Sequence, residues 1–338
     1  MEEIMDDTER SDNRWMRAVS FAGLHRVLHL VADYPHGLKV HELNAAIMER
    51  GVRITGNGSV PAPTTLYHNR NTLLQLDILQ RRGQRLVVNY EDGHVRTLLS
   101  RPTPVGAALD APSRDAFATL VLRNKDCHAR FFDLFMLETD AMDVGTFRAQ
   151  GRSVTWRRIY EGEHAGTVAL ESNGGDSARR ILRLRSASDV QSTLYGVRYW
   201  ARDELGLIDE FYREGTGAIM YPVLSLADDS PCEVARELPH DVNETGDWTT
   251  LSLLDLKVRY CQQQRRRVQN LNAAILWLTH EYAGKIVLIA TSRDQATFTA
   301  QSGKREEFEL RGYFRDAHGR YISHIRLHKS VFATLSRC

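Results

Sequence analysis

Up to about residue 150, apolar positions recur mostly every three or four residues, with an alternating stretch at Arg85 to Tyr90; from residue 153 the period shortens to two over several stretches. Val19, Leu24, Val27, Leu28 and Val31 predict a first helix from about Arg14 to Ala32, broken by Asp33-Tyr34-Pro35-His36-Gly37. Leu38-Lys39-Val40 reads as a short extended piece. Leu43, Ala46 and Ile47 mark a second helix over His41 to Arg50. A Gly/Asn/Ser/Pro-rich connection, Gly51 to Pro63, leads to a third helix. There Thr64 is expected as the cap, Leu66, Leu73 and Leu74 share one face, and Tyr67, His68, Arg70 and Asn71 point elsewhere. This helix should end near Leu76-Asp77. After Ile78-Leu79 comes a basic turn, Arg81-Arg82-Gly83. A ribbon is then expected, with Arg85 to Tyr90 going out, Glu91-Asp92-Gly93-His94 turning, and Val95 to Leu99 returning.

Beyond the linker Pro102-Thr103-Pro104, helical stretches are expected from Ser113 to about Leu122 and over 126–137. Residues 153–172 then read as a hairpin, and Arg180 to Arg185 as a strand. A helix capped by Ser188 or Asp189 should run to about Glu204, with Ile208 to Tyr212 continuing it. Ala218 to Leu226 is an apolar strand. Leu254, Val258, Cys261, Val268, Leu271, Ile275, Leu278 and Tyr282 predict one long helix over 251–282, interrupted in pattern only at Arg265. Lys285 to Thr291 reads as a buried strand, and 297–301, 307–315 and 320–327 as further antiparallel strands.

The predicted class is therefore α+β. A disordered tail (1–13) and a helix-rich N-terminal domain (14–100) come first. A helical connector (101–150), an α+β domain (151–227) and an acidic loop (228–250) follow. The last part, 251–338, is one long helix with a small antiparallel sheet.

Thr65-Leu66-Tyr67-His68, the later Leu73-Leu74 and Leu76, the pair Ile78-Leu79 and the Arg81-Arg82 turn resemble the winged helix-turn-helix family of DNA-binding proteins over residues 14–100. The resemblance implies a recognition helix in the major groove of double-stranded DNA. Thr64, Thr65, Tyr67, His68, Arg70 and Asn71 would contact bases or phosphates, and Arg81, Arg82 and Arg85 the backbone at the wing. With its arginine-containing terminal stretch Glu309 to Leu327, the overall layout is also similar to that of WYL-type transcription regulators of bacterial defence loci, although the Trp-Tyr-Leu signature is absent. That likeness implies a sensing or dimerising C-terminal region.

Charge sharpens this picture. The 338 residues carry a net charge of only +1, but it is unevenly spread. Residues 1–100 hold twelve Lys/Arg and twelve Asp/Glu, whereas 251–338 hold fifteen and seven. Arg265, Arg266 and Arg267, within Gln262 to Arg267, form a second candidate nucleic-acid contact. The hydrophobic fraction of 42% is that of an ordinary globular protein. With no leader-like start and no apolar run of about 20 residues, a cytoplasmic, prokaryotic protein that avoids membranes is expected.

No catalytic residue, metal or cofactor is assigned, although one partial nuclease pattern occurs. The four cysteines form no CxxC pair, and no GxxxxGK[ST] phosphate loop occurs. His324 and His328 are four apart, without a third ligand at useful spacing. Asp255-Leu256-Lys257 matches part of a restriction-type nuclease site, which needs Asp and Lys on one face of a strand. The expectation is a DNA-binding transcription regulator. The alternatives are a DNA-targeting effector or nuclease subunit of a mobile-element or phage-defence system, and a winged-helix protein-interaction subunit of a larger assembly. A homodimer or partner protein is compatible with each.

Overall fold

The computed structural model describes residues 19–54, 61–104, 106, 108–124, 143–159, 167–172, 179–183, 198–213, 217–225, 229–238, 247–290, 314, 316, 320 and 322–335. The chain mixes helices with small antiparallel sheets, an α+β architecture, and separates into two compact units. The first comprises residues 1–150, 159–167 and 183–207; the second comprises 151–158, 168–182 and 208–338. The expected tail, the 126–137 helix and the strand at 297–301 lie outside the described residues, as does nearly all of the strand expected at 307–315.

In the first unit, α1 spans Phe21–Ala32 and Ser20 caps it, its hydroxyl accepting from the Gly23 N–H at 3.3 Å. Strand β1 (Leu38–Lys39) leads into α2 (Val40–Glu49), whose first turn is closed by the Glu42 carboxylate accepting from the Lys39 N–H at 2.7 Å. Helix α3 spans Pro63–Gln75. It begins one residue before the expected Thr64, with Ala62 as its N-cap and no side chain capping it. Proline suits the first helical position because its φ is already helical and its missing N–H would have had no partner. At the other end Asp77 takes a left-handed φ of +55°. The Ile78 N–H reaches back to the Leu73 carbonyl at 2.9 Å and the Asp77 N–H to Leu74 at 3.1 Å. Asn89 donates to both the Asp77 carbonyl and its carboxylate, at 2.9 and 3.1 Å, holding a residue where glycine is usual.

Strands β2 (Leu79–Arg82) and β3 (Arg85–Val88) form a hairpin, and β1 pairs with β3, giving the antiparallel order β1-β3-β2. The expected ribbon is thus corrected: the basic stretch Arg81-Arg82-Gly83 is the hairpin tip. Gly83, at φ +62°, is the first of two turn residues between paired Arg82 and Arg85, where a hairpin turn of this hand favours glycine. The predicted return strand Val95–Leu99 is instead part of helix α4 (Gly93–Ser100). Asp92 caps it, accepting from the His94 and Val95 N–H groups, and Val95 and Leu98 bury one helical face.

Helix α5 (Ala111–Arg123), capped by Asp110, and α6 (Val144–Gln150) follow. A π-helical turn at Tyr199–Glu204 completes the unit. Its Trp200 ring meets Phe21 edge-on at 5.1 Å, and Phe21 meets Phe117 in the same way at 5.1 Å. Glu204 accepts from the Phe21 N–H at 2.8 Å, satisfying a free donor at the start of α1.

His25 lies fully buried in α1, its Nε2 donating to the Leu98 carbonyl at 2.8 Å, while its Nδ1 has no hydrogen-bond partner among the described residues. Burial pulls the imidazole below the ordinary histidine value. The Leu98 carbonyl and Asp110 favour the charged form; His29 and Arg26 disfavour it. In the unfolded chain His25 takes a proton near pH 6.5, so stability from this group is present above that pH and is lost as pH falls towards the depressed folded value. Unfolding free energy measured from pH 7.5 to 5 should decline below 6.5, and His25→Gln should flatten that slope. An unchanged slope in the variant contradicts the assignment.

In the second unit, strands β4 (Val154–Ile159), β5 (Thr167–Ser172), β6 (Arg179–Arg183), β7 (Ile208–Arg213) and β8 (Gly217–Pro222) form a sheet of order β6-β5-β4-β8-β7. Residues 208–212 are therefore strand and not a continued helix. Gly206, at φ +60°, ends the preceding turn and the chain leaves extended. The expected loop over 228–250 contains helix α7 (Pro231–Arg236) and the start of β9 (Trp248–Ser252).

The single long helix over 251–282 is also corrected. The chain runs from β9 into α8 (Leu253–Leu256), a π-helical segment Lys257–Gln263, a turn, and α9 (Val268–Glu281). The break comes at Arg265, φ +56°, where the pattern faltered. Steps of three and four persist across it because Leu256, Cys261, Leu271, Ile275 and Leu278 all enter one core. Strands β10 (Ile286–Ala290) and β11 (Ile322–His328) pair with β9 in the antiparallel order β10-β11-β9, and α10 (Lys329–Leu335) closes the chain.

Candidate nucleic-acid interface

Helix α3 buries Leu66, Asn69, Thr72 and Leu73. Asn69 donates to the Thr65 carbonyl and Thr72 to that of His68, both at 2.9 Å, so these polar groups serve the helix itself. The expected contact residues sit on the remaining surface. Thr64 is exposed, Tyr67 is 51% exposed, and Thr65, His68, Arg70 and Asn71 are half-buried. The Tyr67 and His68 rings meet edge-on at 5.5 Å, and the Arg70 guanidinium lies over the Tyr67 ring at 5.3 Å.

Helix α3 packs on β2, which brings Arg81 near Arg70. Burial, and then the Arg81 charge, pull the Arg70 guanidinium below the ordinary arginine value. Arg81 and Arg82 are exposed at the hairpin tip. Among the described residues, none of these three arginines has a carboxylate within ion-pair distance.

Arg85 is different. It donates to the Gly37 carbonyl at 2.8 Å and lies 3.6 Å from the Glu42 carboxylate, tying β3 to the start of α2. Nothing in the local sequence marks that engagement, because Glu42 lies on another element. Gln84, exposed beside Gly83 at the hairpin tip, is a further polar group there. The shifted hairpin register hid it.

The second basic candidate is differently placed. Arg265, Arg266 and Arg267 occupy the turn between the π-helical segment and α9, all half-buried, and not one face of a helix. Arg266 pairs with Asp229 at 2.6 Å and lies 3.9 Å from Glu237. Asp229 also accepts from the Tyr260 hydroxyl at 2.7 Å and from the Asn270 amide at 2.8 Å. Burial opposes its charge, but these donors outweigh burial and hold the carboxyl below its ordinary value. Asp229, Glu237, Tyr260 and Arg266 of this network line an open pocket of about 450 Å³ beside α7.

Asp255 is exposed on α8, whereas Lys257 is 5% exposed. They do not share a face as a nuclease pair would. Burial pulls the Lys257 ammonium down to about 8, against the Asp209 carboxylate, which favours its charged form. His324 and His328 pair with Ser323 and Ser330, each at 2.9 Å. No group of three His, Cys, Asp or Glu among the described residues is placed to hold a metal ion. No described helix is long and apolar enough to cross a membrane. Compared with family models, curated proteins and solved structures, the chain matches none.

Proposed function

We propose that the N-terminal unit is a winged helix that binds double-stranded DNA, with α3 as recognition helix and the β2–β3 hairpin as wing, within a prokaryotic transcription regulator. Two features support the fold reading. The elements follow the order α1-β1-α2-α3-β2-β3, and the hairpin starts four residues after α3. The observation that carries the binding reading is the set of three arginines, Arg70, Arg81 and Arg82, on α3 and the adjoining hairpin. None has a described carboxylate partner, while Arg50, Arg85, Arg101 and Arg123 of the same unit each have one. Unpaired cations beside a helix bearing Tyr67, His68 and Asn71 suit an anionic duplex. The second unit acts in this reading as a sensing or dimerisation module.

The test is fluorescence anisotropy of labelled mixed-sequence duplex DNA over a salt series. Wild type should bind, with log affinity falling linearly against log salt at about 0.9 per phosphate contacted. Arg70→Ala/Arg81→Ala should bind at least about tenfold more weakly at ~0.1 M salt. Arg85→Ala should cost stability before it costs affinity. No wild-type binding at low salt, or undiminished binding by the double variant, removes the DNA reading.

A further inference from the structure

The same surface carries a narrower inference, which rests on the DNA reading: the roles of its arginines differ. Arg70 is half-buried, its guanidinium lies over the Tyr67 ring, and its Nε has no hydrogen-bond partner among the described residues. Arg81, on the strand against which α3 packs, adds a second positive charge close by. Two neighbouring guanidinium groups repel each other. Neither has a carboxylate within ion-pair distance among the described residues, so an anion held between them would offset that repulsion. The connection 55–60, which precedes α3, contains no acidic residue that could serve.

We propose that Arg70 and Arg81 form one phosphate clamp, both holding the oxygens of a single phosphate, and that Arg70 does not read a base. A guanidinium pair suits phosphate because each group offers two N–H donors in a plane that matches two of its oxygens. Its place over the Tyr67 ring restrains the Arg70 guanidinium, so less side-chain freedom is lost on binding. A base-reading arginine must extend into the groove towards guanine N7 and O6, and one held over a ring of its own helix is poorly placed for that. Sequence discrimination then falls to the other α3 side chains, Thr64, His68 and Asn71.

The test has two arms. In the first, Arg70→Ala, Arg81→Ala and the double variant are titrated against a panel of duplexes differing at single base pairs. The clamp predicts that each single variant weakens every duplex by the same factor, roughly tenfold, and lowers the salt slope by about one. Because the two groups share one phosphate, the double variant should lose little beyond either single one.

In the second arm, melting temperature is compared in inorganic phosphate and in chloride at equal ionic strength. Phosphate should stabilise wild type more than the double variant. Losses confined to one base-pair identity, or additive losses, overturn the clamp and leave the DNA reading standing. Selective stabilisation by phosphate without duplex binding keeps the clamp and overturns the DNA reading. Failure of both arms overturns both.

Discussion

Trp200→Ala should unfold the N-terminal unit at markedly lower denaturant, at a cost of about 3–5 kcal/mol. The indole is fully buried and meets Phe21 edge-on at 5.1 Å, while Phe21 in turn packs on Phe117. Truncation loses the transfer free energy of a large ring and leaves a cavity lined by these aromatics. The same π-helical turn carries Glu204, which caps the start of α1, so repacking the cavity also strains that hydrogen bond. Trp200→Phe fills much of the space and should recover over half of the loss. Denaturant midpoints followed by far-ultraviolet circular dichroism decide it. An alanine variant within about 1 kcal/mol of wild type contradicts the placement of this turn in the α1 core.

Asp229→Ala should be nearly as damaging, at about 2–4 kcal/mol, through a different mechanism. One carboxylate here accepts from Tyr260, Asn270 and Arg266. Alanine leaves the Asn270 amide, which lies in a buried position, and the Tyr260 hydroxyl without their acceptor, and a half-buried guanidinium without its nearest counter-charge. Asp229→Asn keeps one acceptor oxygen but not the charge and should fall between. The local consequence is loosening of the 264–267 turn, so trypsin should cleave after Arg265 to Arg267 faster in the alanine variant. Equal cleavage rates together with wild-type stability contradict the network.

What the sequence disclosed follows from the range of the interactions involved. Helices α1, α2 and α3 were legible because each buries one face at helical spacing, a property of neighbouring residues. The hairpin was misplaced because Arg-Arg-Gly-Gln reads as a solvated linker until Leu79 and Val88 are seen to pair. Val95 and Leu98 fit a strand or a helix equally well in so short a run, and the Asp92 cap decides for helix. Residues 251–282 kept a helical period across a broken turn because both sides of the break feed one core. Periodicity reports burial and not continuity.

Residue type picked out Arg70, Arg81, Arg82 and Arg85 alike as candidates, but it could not separate cations that have a carboxylate partner among the described residues from those that have none. That distinction depends on partners far along the chain, such as Glu42 for Arg85 and Asp229 for Arg266. The Phe21–Trp200 contact, between residues at opposite ends of the unit's sequence, left no local signal.

The most direct test of the DNA-binding reading is charge reversal at the hairpin tip, in Arg81→Glu/Arg82→Glu. Both residues are exposed and neither pairs with a described carboxylate, so the fold should survive the change. Duplex binding and thermal unfolding are measured on the same preparation. The predicted result is an unchanged melting profile with duplex binding lost even at low salt. Wild-type affinity in a folded variant would contradict the reading of α3 and its hairpin as a DNA-binding surface.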